Sequence, residues 1–373
     1  MSEVIVDSLK HSGNSGAANI TLGSDGSVTC GSTASLNMPK GTTAQRPTGV
    51  DGGIRLNTTT KEPEWYDATN SKWKAFKTGA EVNVEYLVVG GGGAGGGYYR
   101  GGGGGGGGFR TNYASETSGG GASGEADYPV AIGEAITLSV GLGATGVSQT
   151  TVAPNGSAST FGAITASGGG GGGVYSAVGG AGGGSGGGAG GIANNATGQD
   201  GGSGISGQGY DGGDLVTNAA DQPCGGGGGG AGGAGVNGGN SSTSGNGGAA
   251  ATSTITGSAV TYAGGGGAGA YNAGSGGTAP TADASAGAGC FGHTTDLANN
   301  APANRGGGGG GSGGVFAGGD GGSGIVILRY PSTYTATFSA GVTSITTATI
   351  GSDTIKTIGA TSSTNETVTF TVT

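Results

Sequence analysis

The sequence has very little charge, proline or cysteine. Charged residues make up only 9% of the 373 positions, and 9 prolines and 3 cysteines accompany 101 glycines. This composition excludes a collagen triple helix, which needs abundant proline and strict Gly-X-Y spacing. Cys30, Cys224 and Cys290 are odd in number and far apart. They therefore predict neither a disulfide framework nor a metal site.

Long apolar runs and basic residues are also scarce. No apolar stretch is long enough to cross a membrane, and the first ten residues, MSEVIVDSLK, lack the charged and apolar regions of a signal peptide. The net charge of −9, with only 13 lysines and arginines, disfavours a nucleic-acid partner. These limits lead us to expect a structural protein that is made in the cytoplasm, is not secreted and has no cofactor.

Glycine is concentrated in runs between two short apolar strands. The strand YLVV (86–89) leads into Gly90–Gly97, YYR (98–100) follows, and Gly101–Gly108 comes next, while IVILRY (325–330) closes the block. An α-helix is excluded because each interior glycine costs about 1 kcal/mol relative to alanine. An ordinary sheet is disfavoured because glycine has no side chain to pack. A flexible linker is the usual interpretation of such runs, but the flanking strands argue against it.

A bundle of extended, left-handed threefold helices remains. This polyproline II geometry rises about 3.1 Å per residue and has no internal hydrogen bonds, so each backbone N–H and C=O must pair with a neighbouring segment. Only glycine lets backbones approach closely on every side. We therefore predict that Gly90–Gly97 and Gly101–Gly108 form an antiparallel pair, each spanning roughly 25 Å. Tyr98, Tyr99 and Arg100 would be displayed at one tip of the pair.

Composition divides the chain into four parts, and the predicted fold class is mostly β and irregular, with no significant α-helix. The C-terminal part is rich in threonine with period-two alternation, which indicates strands. In the N-terminal part, weak alternation around Ser24-Asp25-Gly26 predicts a hairpin. The predicted parts are an N-terminal attachment β segment (1–30), a small β fibre module (31–83), a glycine-rich polyglycine II domain (84–331) with a β insertion (128–161), and a C-terminal β unit (332–373).

Three stretches resemble parts of bacteriophage fibres. EYLVVGGGGAGGG (85–97) and GGSGIVILRYP (321–331) resemble the boundaries of a glycine-rich domain of phage tail-fibre and adhesin proteins, over roughly residues 84–331. QRPTGVDGGIRLNTTTKEPEWYDATNSKWKAF (45–76) resembles a module common in such fibres. The architecture is similar to that of the tip adhesins of T-even-like phages, in which a sandwich of polyglycine II helices presents variable loops to a receptor.

The resemblance implies a virion fibre or spike protein. Such a protein would bind a host surface glycan or outer-membrane protein, and would contact other virion proteins through its N-terminal segment. A homotrimer is expected because phage fibres with similar β modules are trimeric. Two alternatives remain: a purely structural virion decoration or tail component without a specific ligand, and an ice-binding protein, which the irregular turns disfavour.

Motifs for catalysis or cofactor binding are weak. Gly90-x-Gly92-x-x-Gly95 matches a dinucleotide fingerprint, but that motif must open a helix and more glycine follows here. The GxSxG pattern around Ser185 and Ser312 is trivial in a sequence so rich in glycine and serine, and only two histidines could serve as a base. We expect no enzyme activity and no metal.

Aromatic, asparagine and arginine residues interrupt the runs. On a rigid scaffold such side chains suit glycan or protein recognition through stacking and adaptable hydrogen bonds, although any one of them could instead pack over the helix ends. Trp65 and Trp73 are predicted to lie near each other on paired strands, as a small core cluster rather than a carbohydrate platform. The predicted receptor-binding residues are Tyr98, Tyr99, Arg100, Tyr175, Tyr210, Tyr271, Asn272 and Phe316.

Overall fold

The computed structural model describes residues 39–48, 53–59, 61–69, 71–75, 81–148, 152–175, 179–192, 199–215, 224–239, 243–270, 286 and 297–373, together with three short strands near the N-terminus. The chain divides into two compact units, residues 1–78 and 79–373. Over these described residues strands predominate, and helix is limited to short 3-10 segments at Thr43–Gln45 and Gly119–Gly121. The predicted mostly-β class without α-helix is confirmed. No described helix has the length and apolar character needed to span a bilayer.

The first unit contains two small sheets. β1 (Ser8–Leu9), β2 (Ile20–Leu22) and β3 (Val28–Cys30) form an antiparallel sheet, and β2 pairs with β3 as the predicted hairpin requires. The second sheet has the order β4 (Lys40–Gly41), β5 (Ile54–Asn57), β6 (Glu62–Asp67) and β7 (Lys72–Ala75).

The two tryptophans lie on opposite faces of the second sheet. Trp65 is opposite Lys74, whereas Trp73 is opposite Tyr66, on the next register step. Because successive side chains of a strand alternate between faces, the indoles cannot share one cluster, so that part of the prediction is wrong. Trp73 instead packs edge-to-face on Tyr66, with ring centroids 5.5 Å apart.

A buried carboxylate fixes the segment that covers one face of this sheet. Glu64 is 2% exposed and accepts hydrogen bonds from Arg46 (2.7 Å) and the Asn57 amide (3.1 Å). The Arg55 guanidinium lies 3.2 Å from its other oxygen. The hydrogen bond from Arg46 is the main reason that the pKa of Glu64 is lowered. These contacts hold residues 42–47 over the sheet.

The second unit is built on two antiparallel sheets and a hairpin. The strands are β8 (Glu81–Val89), β9 (Phe109–Thr111), β10 (Tyr128–Ala131), β11 (Ala135–Ser139), β12 (Ser159–Phe161), β13 (Ile164–Ala166), β14 (Ala251–Ser253), β15 (Val260–Tyr262), β16 (Ile325–Pro331), β17 (Tyr334–Phe338), β18 (Val342–Ile350), β19 (Asp353–Thr361) and β20 (Glu366–Val372). The first sheet has the order β10-β8-β16-β19-β18, with β9 also paired to β8, the second has the order β13-β12-β11-β20-β17, and β14 and β15 form the hairpin.

Strands β8 and β16 are buried on both faces, which explains their nearly continuous apolar sequences. Tyr86 and Val88 point into a core between the two sheets, where they meet Phe161. Leu87 and Val89 point the other way, into a second core under the β14–β15 hairpin. The two apolar strands that bracket the glycine block therefore form the centre of the sandwich.

The C-terminal strands complete this sandwich. β19 pairs with β16 from Val326↔Ile358 to Pro331↔Asp353, and β20 pairs with β11. Residues 332–373, predicted as a C-terminal β unit, thus belong to the same compact unit as the glycine block. The physical reason is that the threonine-rich strands present only one apolar face, which needs another sheet to bury it.

The glycine block forms a lattice of extended segments that grows out of one end of the sandwich. Consecutive segments run in opposite directions between a base, where the sandwich lies, and a tip, defined by Tyr98–Arg100. Sixteen such segments occur among the described residues: 90–97, 101–108, 141–148, 152–158, 167–175, 179–184, 185–192, 199–204, 209–215, 224–230, 234–239, 243–250, 263–270, 297–305, 306–313 and 317–324.

Hydrogen bonds within the lattice follow a threefold rotation. In segment 90–97 every third amide donates to the same neighbour. The amides of residues 90, 93 and 96 donate to segment 101–108, those of residues 91 and 94 to segment 152–158, and those of residues 92 and 95 to segment 317–324. Its carbonyls accept from three further segments. A rotation of one third of a turn per residue is that of a polyproline II-type helix, and none of the glycines in this segment has a positive φ. The predicted left-handed polyglycine II bundle is therefore present.

The glycine content of a segment follows its number of neighbours. Segments 90–97, 101–108 and 224–230 each bond to six others and carry glycine at all positions or all but one. Segment 185–192 also bonds to six others and has glycine at five of its eight positions. Segment 297–305, LANNAPANR, has no glycine and bonds to three segments, 263–270, 306–313 and 317–324. Residues 141–158, predicted to lie in the β insertion, contribute two lattice segments despite having few glycines.

A methyl group in the lattice interior should be destabilising. A Cβ on Gly103 would overlap the carbonyl oxygen of Gly266, whereas a Cβ on Gly233 would meet its nearest atom at 3.4 Å. We expect Gly103→Ala to cost about 1–3 kcal/mol or more through overpacking, and to lower the thermal midpoint by about 5 °C or more. The control Gly233→Ala should unfold within about 1 °C of the wild type. Equal midpoints for both variants would contradict the lattice.

Candidate functional site

The tip turn holds three consecutive residues in an unfavourable conformation. Tyr98, Tyr99 and Arg100 have φ values of 57°, 44° and 50°, in the left-handed region that costs a residue with a Cβ about 1–2 kcal/mol. The turn is fixed to a neighbouring bend, because the Tyr98 amide donates to the Phe316 carbonyl (3.0 Å) and the Tyr99 amide to the Gly314 carbonyl (2.7 Å). The backbone of both bends is therefore held in place at the end of the lattice.

Aromatic rings gather at this turn. The Tyr98 and Tyr99 rings lie 4.8 Å apart, centroid to centroid, and Tyr175 lies 6.3 and 6.0 Å from them, in edge-to-face arrangements. All three are partly buried. Phe316 is partly buried in the adjoining bend, and its neighbour Val315 is 53% exposed. The structure thus brings Tyr98, Tyr99, Tyr175 and Phe316 to one end of the lattice.

The side chain of Arg100 is not displayed, in contrast to the sequence-based expectation. It is 1% exposed, donates from Nη1 to the carbonyl of Ile192 (2.9 Å), and lies over the Tyr175 ring, 5.7 Å from its centroid. The Gly191 amide donates in return to the Arg100 carbonyl (2.9 Å). Arg100 therefore ties the tip turn to segment 185–192 and supports the aromatic cluster from below.

Tyr210 lies at the base and not at the tip. Tyr210 is two residues after Gln208, whose carbonyl accepts a hydrogen bond from the Phe109 amide (3.0 Å). Phe109 directly follows the base end of segment 101–108. The separation from Tyr98 is thus about the length of that segment, roughly 25 Å. Tyr271 and Asn272 lie outside the described residues. Five of the eight predicted residues therefore meet at the tip, one of them buried.

Acidic side chains in the glycine block cap the edge of the lattice. Oxygens of Asp211, Asp214 and Asp320 accept from the amides of Gly204 (2.7 Å), Gly201 (2.9 Å) and Gly146 (2.6 Å). Each carboxylate supplies the hydrogen-bond acceptor that a neighbouring backbone carbonyl supplies in the lattice interior. Among the described residues no three His, Cys, Asp or Glu side chains are grouped to hold a metal ion.

The residues of the weak catalytic motifs are part of the lattice. The amides of Gly90, Gly92 and Gly95 donate to carbonyls of neighbouring segments, which leaves none of them to cradle a phosphate. Ser185 and Ser312 are fully buried. The Ser312 hydroxyl donates to the carbonyl of Gly314 (3.2 Å), in the bend beside the tip turn.

A charged cluster at the base is structural. Glu125 accepts from Arg110 (2.7 Å to each oxygen) and from the Tyr86 hydroxyl (2.7 Å). Burial, with a further contribution from Glu125, raises the pKa of Tyr86, and the hydrogen bond to Glu125 raises the pKa of Arg110. The cluster closes the end of the sandwich core where β8 and β9 pair.

The first unit contains a separate cleft of about 380 Å³, lined in part by Pro47, Ile54 and Trp73. The Trp73 indole donates to the Pro47 carbonyl (3.3 Å), and the Arg55 guanidinium lies 5.7 Å from its ring centroid. Its wall is thus a packed part of the sheet and not a free aromatic platform.

A family model described as a glycine-rich domain matches residues 68–331. The chain therefore belongs to the glycine-rich domain family. No curated protein and no solved structure matched the chain.

The edge carboxylates give a prediction about local stability. Removing the oxygen of Asp320 should leave the Gly146 amide without its acceptor, at a cost of about 1 kcal/mol. We expect Asp320→Ala to accelerate amide hydrogen exchange around Gly146 by roughly tenfold, measured by mass spectrometry. Asp320→Asn keeps an acceptor oxygen and should exchange like the wild type. Faster exchange in Asp320→Asn as well would show that charge, and not the missing acceptor, is what matters.

Proposed function

We propose that this member of the glycine-rich domain family is a bacteriophage virion fibre or spike protein whose tip binds a receptor on the host cell surface. The observation that carries the proposal is the Tyr98–Arg100 turn. Three residues with side chains occupy a left-handed turn between two segments made almost entirely of glycine. Glycine would adopt this conformation without strain, so the strained tyrosines point to a role for the side chains that they present.

The rigidity of the scaffold supports this role. Segments 90–97 and 101–108, which flank the turn, are each bonded to six others, so the turn stands on two of the most constrained segments in the lattice. Recognition residues on rigid elements lose little conformational freedom on binding. The partly buried tyrosines suit stacking and hydrogen bonding with a surface ligand.

The direction of the chain supports it as well. β8 begins at Glu81 and runs through Val89 directly into the lattice, so the chain enters the described part of the second unit in the sandwich, far from the tip. In this proposal residues 1–30 contact other virion proteins, the host cytoplasm is the site of synthesis, and three copies associate. The protein acts by binding and not by catalysis.

A competition experiment tests the receptor role. For a phage that carries this chain, purified wild-type protein should compete with virions for host cells and slow adsorption. The double variant Tyr98→Gly/Tyr99→Gly relieves backbone strain and should keep its fold, yet it should need roughly tenfold more protein to compete, as expected for loss of a hot spot. Tyr210→Ala, at the base, is the matched control and should compete like the wild type.

Circular dichroism melts establish that each variant is folded. A wild-type protein that does not compete, or a glycine double variant that competes equally well, would contradict the receptor role. That result would favour a structural decoration without a specific ligand.

A further inference from the structure

No described residue at the tip presents an accessible positive charge. The sequence has no lysine or arginine between Arg110 and Arg305, a stretch that includes most of the lattice segments. Arg305 lies at the base, where its carbonyl accepts from the Ala263 amide (2.7 Å) and its guanidinium lies 5.3 Å from the Tyr262 ring centroid. Arg100 is thus the one positively charged residue among the described residues of the tip, and its side chain is 1% exposed.

Acidic residues lie on the tip side of two outer segments. Asp200 and Asp214 are exposed, and they are close together, because the Asp214 carboxylate accepts from the Gly201 amide. The adjoining Leu215 amide donates to the Gln199 carbonyl (2.8 Å), at the tip-side ends of both segments. The described residues at this end of the second unit therefore offer an anion no counter-charge, and the nearby carboxylates would repel it.

The aromatic cluster presents ring surface instead of charge. The planes of the Tyr98, Tyr99 and Tyr175 rings are inclined by 62–68° to one another, so each pair meets edge-to-face. In an edge-to-face pair the ring that contributes its edge keeps its own faces uncovered by that partner. All three tyrosines are partly exposed, and aromatic rings that carry phenolic hydroxyls suit a ligand with C–H faces and neutral hydroxyls.

We infer that the tip recognises an uncharged carbohydrate by stacking on Tyr98, Tyr99 and Tyr175, and does not recognise a phosphorylated or acidic glycan. This inference rests on the proposed receptor role and specifies its ligand. Recognition of phosphate or carboxylate groups relies on arginine or lysine donors, which the described tip surface does not expose. A protein receptor is the competing outcome.

An array of bacterial polysaccharides tests the ligand class. Purified wild-type chain should bind neutral polysaccharides and not phosphorylated or sialylated ones. Raising the salt concentration from about 50 mM to about 500 mM should change binding by less than about twofold, since no charge pair is screened. Tyr98→Gly/Tyr99→Gly should lose about tenfold or more, whereas Tyr99→Phe, which keeps the ring, should stay within about threefold of the wild type.

Binding confined to acidic polysaccharides, or no binding anywhere on the array, would overturn the inference. A second measurement separates this failure from failure of the receptor role. If the chain competes with virions and host cells lose binding after proteinase K but not after periodate oxidation, the receptor role stands and the carbohydrate inference falls. If the chain does not compete with virions at all, the receptor role itself falls.

Discussion

The hydrogen bond between two glycine backbones is the interaction on which the rest of this structure depends. In an α-helix these bonds lie along the axis, and in a sheet they lie in one plane, but a threefold helix directs them outward in three directions. Backbone pairing can therefore fill space in the way that side chains fill an ordinary core. Because each bond contributes only about 0.5–1.5 kcal/mol net and ordering a residue costs about 1–2 kcal/mol, isolated segments cannot be stable. Cooperation among many segments, and the two apolar cores at the base, make the arrangement possible.

A finite lattice must also end, and the composition of the chain reflects how it does so. An outer amide has no neighbouring segment, and an unpaired amide is costly where water cannot reach it. Carboxylate and amide oxygens take the missing place, as Asp320 does for Gly146 and Asn155 does for Gly171. The outer segments can accept side chains on the side that faces solvent. The absence of glycine from segment 297–305 and the acidic character of the block are two consequences of the same boundary.

Much of this arrangement could be predicted from the sequence, and the failures have a common cause. The pair 90–97 and 101–108 was predictable because interior segments need glycine at nearly every position. Segments 141–148 and 297–305 were not, because a segment at the edge of the lattice has fewer neighbours and needs little or no glycine. Whether Tyr210 lies at the base or at the tip depends on the number of segments that precede it, because consecutive segments run in opposite directions. Predicting its position therefore requires that every earlier segment be identified from the sequence. The burial of Arg100 depends on the Ile192 carbonyl, 92 positions away, which no local pattern reveals.

The tip combines rigidity with strain in a way that bears on recognition. A loop on an ordinary sandwich can relax when a residue is unfavourable, but the two ends of the Tyr98–Arg100 turn are fixed by segments that cannot move apart without breaking bonds to their neighbours. The lattice thus holds the strained turn in place, and the cost of placing the rings is met during folding and not on binding. The Arg100 guanidinium donates to the Ile192 carbonyl and lies over the Tyr175 ring. These contacts stiffen the cluster and bury the one positively charged side chain among the described tip residues. The same contacts therefore set both the order of the aromatic surface and its lack of charge, and so link the rigidity of the site to the kind of ligand it can accept.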